Sequence, residues 1–474
     1  MTNEVDALEP LGTHQKVLNL NLDPEIFGSF AEIGAGQEVA RWFLTAGAAS
    51  GTVAKTISAY DKEVSDDLYG AGTRYVSRQR LEAMLEREWA QLQGQLRESR
   101  GARSRFFAFA DTVSARNYAG TNECHGWMGI RFQEQPDGDP DEIVLHVNMR
   151  DPASTLQAEA LGLLGVNLVY ATFYQRQSGE VLLRALAEGG LPGRIEIDLV
   201  DLDGPVFTTW DRRLLLVGLA QLGMAEAVIF PVGGDWLPPT EVLHRRPVVV
   251  APDSFERTDA LDTQMLGTAL EALRAEVPNP QGEPVGLFSL AADPLAESAA
   301  LLGPSLILAR VEALLTAGHG VLLARRGELH GITAFVNRFT AAPVRFAVGL
   351  MALARILHTT HYRHLEGRIL EGIARLFAQN VRIYAYPMSR ADLEPRLQAL
   401  PAENWELDAT GPWVTADQFR PAAPLGHLYA YLIETGFIAP MPPVPPAAPT
   451  PVADPQVIPP FGSSPRPAAG SGGR

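Results

Sequence analysis

Val311-Glu312-Ala313-Leu314-Leu315-Thr316-Ala317-Gly318-His319-Gly320-Val321-Leu322-Leu323 carries the pattern that decides the fold. A helical run ends at a glycine, and a short apolar strand follows at once. Glycine just past a helix is the expected cap, because the chain there turns into a left-handed conformation that a Cβ disfavours. The same unit recurs at Leu182 to Glu188 with Gly189-Gly190 before Arg194-Ile195-Glu196-Ile197, and at Leu214 to Leu222 with Gly223 before Ala227-Val228-Ile229-Phe230. It recurs again at Ile369 to Gln379, with Asn380 before Val381-Arg382-Ile383-Tyr384. Helices alternating with β-branched strands predict parallel sheets covered by crossover helices. Further strands are expected at Pro247 to Ala251, Val285 to Leu290 and Val344 to Val348.

Upstream the texture differs. Phe106 to Ala110, Trp127 to Phe132 and Ile143 to Val147 are three closely spaced apolar runs, which suggests an antiparallel or mixed portion. Residues 24–100 read as helical, above all Arg78 to Arg97, which is rich in Leu, Glu, Gln and Arg. The expected organisation is a flexible leader (1–23), a helical N-terminal lobe (24–100), two α/β lobes with Rossmann-like, largely parallel sheets (101–255 and 256–438), and a disordered proline-rich tail (439–474). The tail holds 12 of the 36 prolines, so it should be extended or disordered, and its Pro442 to Pro446 run suits an aromatic groove.

Composition bounds the function. The chain has 474 residues, 46% of them hydrophobic, which excludes wholesale disorder. Its net charge of -16 speaks against nucleic acid or an anionic membrane as partner, since phosphate repels a net anion. The single cysteine, Cys124, forbids an intramolecular disulfide and fits a reducing cytoplasm. No apolar run follows the acidic N-terminus as a signal peptide requires, and the longest charge-free stretch before the tail, Ala160 to Gln175, is shorter than the ~18 to 20 residues of a spanning helix.

Candidate chemistry is scattered. Gly34-Ala35-Gly36 matches two glycines of a dinucleotide fingerprint, but position 39 is Val39 and no clear strand signal precedes it. Ser50 and Gly51, ahead of Lys55, have phosphate-loop ingredients, although Lys55 lies four residues past the glycine rather than beside it. Glu123, Cys124 and His125 form the densest polar cluster. Neighbours on a strand point to opposite faces, so Cys124 and His125 are no dyad, and Glu123 and His125 remain the site candidates beside an ordinary structural reading. His358, His361 and His364 are three apart on an expected helix, so neighbours could share a ligand while the first and third diverge by about 120°, and the polar-face reading is preferred to a metal role. In a parallel sheet ligands gather beyond the carboxyl ends of the strands, which nominates Asp201, Gly233, Gly234, Arg326 and Gly349 for a phosphorylated small molecule.

Several stretches together resemble a family of bacterial proteins common in cyanobacteria. They are Glu32 to Phe43, Ala49 to Asp61, Asn122 to Phe132, His364 to Gly367 and Arg382 to Met388, and the resemblance spans most of residues 17–389. Members are labelled nicotinamide- or nicotinate-mononucleotide adenylyltransferase, or elsewhere TonB-dependent receptor. The first label implies a nucleotidyltransferase that needs Mg²⁺ held by carboxylates and ATP phosphates, with arginines stabilising charge on the phosphates. That superfamily's His-x-Gly-His turn has only Gly318-His319-Gly320 and His361 to His364 as its nearest fragments, so no catalytic residue carries over. The rival expectation is a non-catalytic scaffold that forms homo-oligomers through its helical lobe and recruits partners with the tail.

Overall fold

The computed structural model describes residues 11–35, 37–72, 74–233, 236–252, 260–278, 280–293, 303–397, 405–408 and 411–443. The expectations for the tail from residue 444 onward, for the start of the leader, and for Gly36 and Gly234 fall outside them. Two sheets organise the chain. The first comprises β1 (Ile26–Ile33), β2 (Val53–Ile57), β3 (Arg105–Val113), β4 (His125–Gln133), β5 (Pro140–Met149) and β6 (Ile195–Asp203), in the order β2-β1-β3-β4-β5-β6. Its β2, β1 and β3 are parallel, and β4, β5 and β6 then alternate in direction, the mixed portion that the closely spaced runs predict.

The second sheet comprises β7 (Ala227–Phe230), β8 (Val248–Pro252), β9 (Val285–Asp293), β10 (Gly320–Arg326), β11 (Val344–Gly349), β12 (Val381–Tyr386) and a last strand, Ile438–Pro440, ordered last-β12-β11-β8-β9-β10-β7. All its neighbours are parallel except β7, which runs against β10. Strand order reverses about β8, as in doubly wound folds, with β9 and β10 on one side and β11 and β12 on the other. The chain is thus α/β with two Rossmann-like lobes. Both β7 and β8, which the sequence reading assigns to the first lobe, pair in the second sheet.

Helices in chain order are α1 (Thr13–Leu22), α2 (Glu38–Thr45), α3 (Lys62–Tyr69), α4 (Arg78–Leu96), α5 (Ser154–Tyr174), α6 (Gly179–Leu186), α7 (Arg212–Gln221), α8 (Pro239–Val242), α9 (Ala260–Glu276), α10 (Pro304–Thr316), α11 (Leu329–Val336), α12 (Leu350–Ile356), α13 (Arg368–Leu376), α14 (Arg390–Leu397) and α15 (Leu425–Glu434). The glycine caps fall where expected: Gly189, Gly190, Gly223 and Gly318 all have φ between 71° and 85°. After α13 the left-handed residue is Gln379 (φ 59°), one position before the expected Asn380.

Residues 24–100 are not helical throughout, because β1 and β2 lie among them. Every residue of Ile26 to Glu32 is buried, so the strand lacks the alternation by which a half-exposed strand is recognised. The leader is ordered from Thr13: Val17 and Leu20 sit in the core, and the buried Lys16 ammonium donates to Asn167 Oδ1 at 2.6 Å beside Glu188. Helix α5 is long and apolar enough to cross a bilayer by composition, yet 72% of that window is buried inside the protein. Gly162 and Gly165 let it approach α2 and β3, where an added Cβ would stand 2.7 Å from Glu38 Cβ and 2.3 Å from Val39 Cγ2.

Candidate functional site

At the carboxyl end of β10 a cleft of about 160 Å³ opens between that strand, the first turn of α11 and the start of β7. Its walls carry Glu226, Arg326, Glu328, His330, Phe335 and His364. Because β7 runs against β10, the start of β7 meets the end of β10, with Ala227 opposite Ala324. Gly223 makes the corner possible: its φ of 71° suits glycine, and a Cβ there would stand 2.8 Å from the Arg325 guanidinium carbon. Arg325 N–H then donates to the Glu226 carbonyl at 2.8 Å, which holds Glu226 at the rim. Arg326 is exposed and forms no ion pair among the described residues.

His330 lies nearly parallel to His364, with ring centroids 6.1 Å apart. Burial holds the His330 pKa below the ordinary imidazole value, helped by His364 and opposed by Glu328, so this ring is neutral at pH 7. Tyr362 beside it donates its hydroxyl to the Ile356 carbonyl at 2.6 Å, and burial pushes its pKa up to about 12. The chemistry facing the cleft is therefore one guanidinium, two carboxylates, imidazole faces and an aromatic wall.

The three spaced histidines do not share one helix. Helix α12 ends at Ile356, a 3₁₀ turn spans Thr359–Tyr362 and α13 starts at Arg368. His358 and His361 face each other at 5.3 Å between ring centroids, while His364 reaches the cleft. No group of three or more His, Cys, Asp or Glu side chains able to hold a metal occurs among the described residues.

The other nominated residues disperse. Lys55 lies on the edge strand β2, where its ammonium meets Gln91 Oε1 and the buried Glu88 carboxylate, each at 2.6 Å, so an internal anion already fills its field. Ser50 is exposed and Gly51 sits against the Asn21 carbonyl, in a turn that serves packing. Asp201 lies near the carboxyl end of β6, but β6 runs against β5 and so ends at the far edge from the carboxyl ends of β1 and β3. There Arg78 and Arg212 occupy both its oxygens. Gly233 follows the reversed strand β7 and lies at the edge opposite Arg326. Gly349, at the end of β11, sits at the carboxyl edge of the parallel strands, next to the reversal of strand order. Glu123 is exposed, and His125 is partly buried at the start of β4.

The Gly34 stretch has the strand-turn-helix setting that its sequence hides. The α2 N-terminus nevertheless holds an anion of its own, since Glu32 accepts from the Val39 and Ala40 N–H groups at 3.0 Å each. Sequence reasoning missed Glu226 and His330. The one usable signal was proximity to Arg326 for His330; Glu226 gave none.

No family model matches the chain, and no curated protein matches it. Among solved structures it is similar to the competence/damage inducible protein CihA from Agrobacterium tumefaciens, at 21% identity over 35% of this chain and 98% of that one, with a TM-score of 0.26. It is also similar to the competence-damaged protein (CinA) superfamily protein from Enterobacter cloacae, at 12% identity over 36% and 98%, with a TM-score of 0.26. A competence or damage-inducible protein from Enterobacter asburiae gives 12% identity over 34% and 95%, with a TM-score of 0.25. Likenesses this partial assign no activity.

Proposed function

We propose that the cleft at the carboxyl edge of β10 binds a small phosphorylated molecule. The observation that carries this reading is the convergence on one cleft at that edge of two carboxylates and an arginine that has no ion pair among the described residues. A phosphate would pair with the Arg326 guanidinium through charge-assisted hydrogen bonds. Glu226 and Glu328 would accept from sugar hydroxyls, and the faces of His330 and His364 suit a planar group. Size narrows the class: about 160 Å³ is small beside the ~300–1,000 Å³ of ordinary ligand pockets and suits a phosphate with part of a sugar. A sugar phosphate, or the phosphate end of a mononucleotide, fits that description.

Adenylyl transfer is the finer form of the reading. It would require Mg²⁺, a hard cation that takes oxygen ligands and is commonly held by one or two carboxylates together with substrate phosphates. Glu226 and Glu328 offer that oxygen set, and they would also repel an unaccompanied phosphate. Phosphate binding should therefore strengthen when Mg²⁺ is present.

Thermal shift and calorimetry with nucleotides and sugar phosphates, with and without Mg²⁺, test the proposal. A true ligand at ~100-fold excess over Kd should stabilise the protein by about 2.7 kcal/mol. Arg326→Ala should weaken its binding roughly 10- to 100-fold, the worth of a hydrogen bond to a charged group. Equal affinity in wild type and Arg326→Ala would remove the phosphate from this cleft.

A further inference from the structure

A second constellation lies on the first sheet, apart from the cleft. Strand β5 presents His146 and Asn148 on one face, two residues apart, and β4 brings His125 opposite Asn148. The β5–β6 register shifts between His146 and Val147: His146 faces Leu199 and Val147 faces Ile197, which leaves Asp198 as the extra residue of a bulge. Its carboxylate turns back toward β5. Asn148 Nδ2 donates to Asp198 Oδ2 at 2.6 Å, His146 Nδ1 lies 2.6 Å from Asp198 Oδ1, and His146 Nε2 lies 3.1 Å from His125 Nδ1.

Bond order along this chain assigns the protons. A carboxylate accepts, so His146 carries its proton on Nδ1 and its lone pair on Nε2. That lone pair accepts from His125 Nδ1–H, which leaves the His125 lone pair on Nε2, the last atom of the chain. His146 is 0% exposed and Asp198 4%, whereas His125 is partly open. The edge of Trp127 packs on His146 at 4.8 Å between centroids and fixes its ring.

We propose that Asp198, His146 and His125 form a proton relay whose outlet, His125 Nε2, acts as a general base toward water or a hydroxyl of a small-molecule substrate. Nε2 takes the proton of the O–H, the oxygen keeps the electron pair, and the proton then leaves Nε2 for solvent, which restores the neutral ring. Nδ1–H stays bonded to His146 Nε2, itself oriented by Asp198, so Nε2 remains the accepting nitrogen throughout. Asp198 and His146 are positioning residues. The two ring nitrogens face each other directly, which leaves no room for a bridging metal between them. The charged and titratable groups acting on His125 are His146, Asp198, Glu123 and Arg74; burial first, then His146, holds it below the ordinary imidazole pKa.

The test uses diethyl pyrocarbonate, which modifies unprotonated imidazole nitrogen, on the full chain at pH 6, with adducts located by peptide mass. His125 should react at Nε2, the nitrogen left with its lone pair, despite its partial burial. His146→Phe should slow it about fivefold or more. A ¹⁵N imidazole spectrum of the wild type gives an answer even if that variant fails to fold: the Nδ1–H tautomer is expected at His125. An unreactive His125, a rate untouched by His146→Phe, or an Nε2–H tautomer would each overturn the relay.

Discussion

Asp111 is fully buried, and neither of its oxygens meets a well-aligned donor. It lies directly across from Glu32 in the β1–β3 register. Burial raises both carboxyls, Glu32 to about 7, where its two N–H partners pull the other way, and the Glu32 charge raises Asp111 further. The helix-capping Glu32 is the better home for the negative charge, so Asp111 is the member that keeps a proton. In the unfolded chain both titrate near ~4. The folded state therefore binds protons more tightly, and the stability this confers is full below that pH and is lost as pH rises through about 7. Wild type should lose stability between pH 5 and pH 8, while Asp111→Asn should give a flatter curve; parallel urea midpoints for the two proteins across that range would contradict a proton held by Asp111. Lys55 teaches the complementary lesson. Its sequence setting suggests an anion site, but Glu88, thirty-three residues away in the chain, already supplies the anion.

Among elements, the exit of β1 at Gly34 is tightly constrained. Gly34 has φ 101°, and a Cβ there would stand 2.0 Å from the Val113 carbonyl oxygen, whereas Gly47 has φ 93° with open space around it. Gly47→Ala should cost about 1 kcal/mol for its backbone conformation, and Gly34→Ala should exceed it by ~2 kcal/mol or more because β1 and β3 must part. Urea unfolding of the two variants decides, and equal losses would show that the turn relaxes freely. The helices and the strands of the second sheet were legible because glycine caps and apolar runs are local signals. Strand β1 was not, since burial on both faces erases its period. Nor was the direction of β6 and β7, which pairing at a sheet edge sets. That direction places Asp201 and Gly233 away from the carboxyl edge of the parallel strands, where Arg326 and Gly349 lie. Glu226, His330 and His364 reach Arg326 from separate segments, and no spacing rule links them.

For the whole molecule, the two sheets share one interior. A single apolar cluster includes Phe109 and Ile197 of the first sheet, Phe230, Phe288 and Val321 of the second, and Leu216 and Val311 of the helices α7 and α10. Ile197 N–H donates to the Met224 carbonyl at 2.8 Å, and Arg338, just past α11, pairs with the nearly buried Glu196 of β6 at 2.6 Å. Calorimetry should therefore show one endotherm, with far-ultraviolet dichroism and tryptophan fluorescence melting together; two resolved transitions would mean that the lobes unfold separately. The placement of α5 has a consequence for synthesis. A chain leaves the ribosome amino end first, so α1, α2 and the strands β1 to β5 emerge before this helix does. The glycine-faced groove at Gly162 and Gly165 finds its partners Glu38, Val39 and Phe109 already made. The most bilayer-like segment of the protein thus has a place to dock as soon as it appears, which shortens the interval in which a nascent apolar helix is open to membrane-targeting factors or to aggregation.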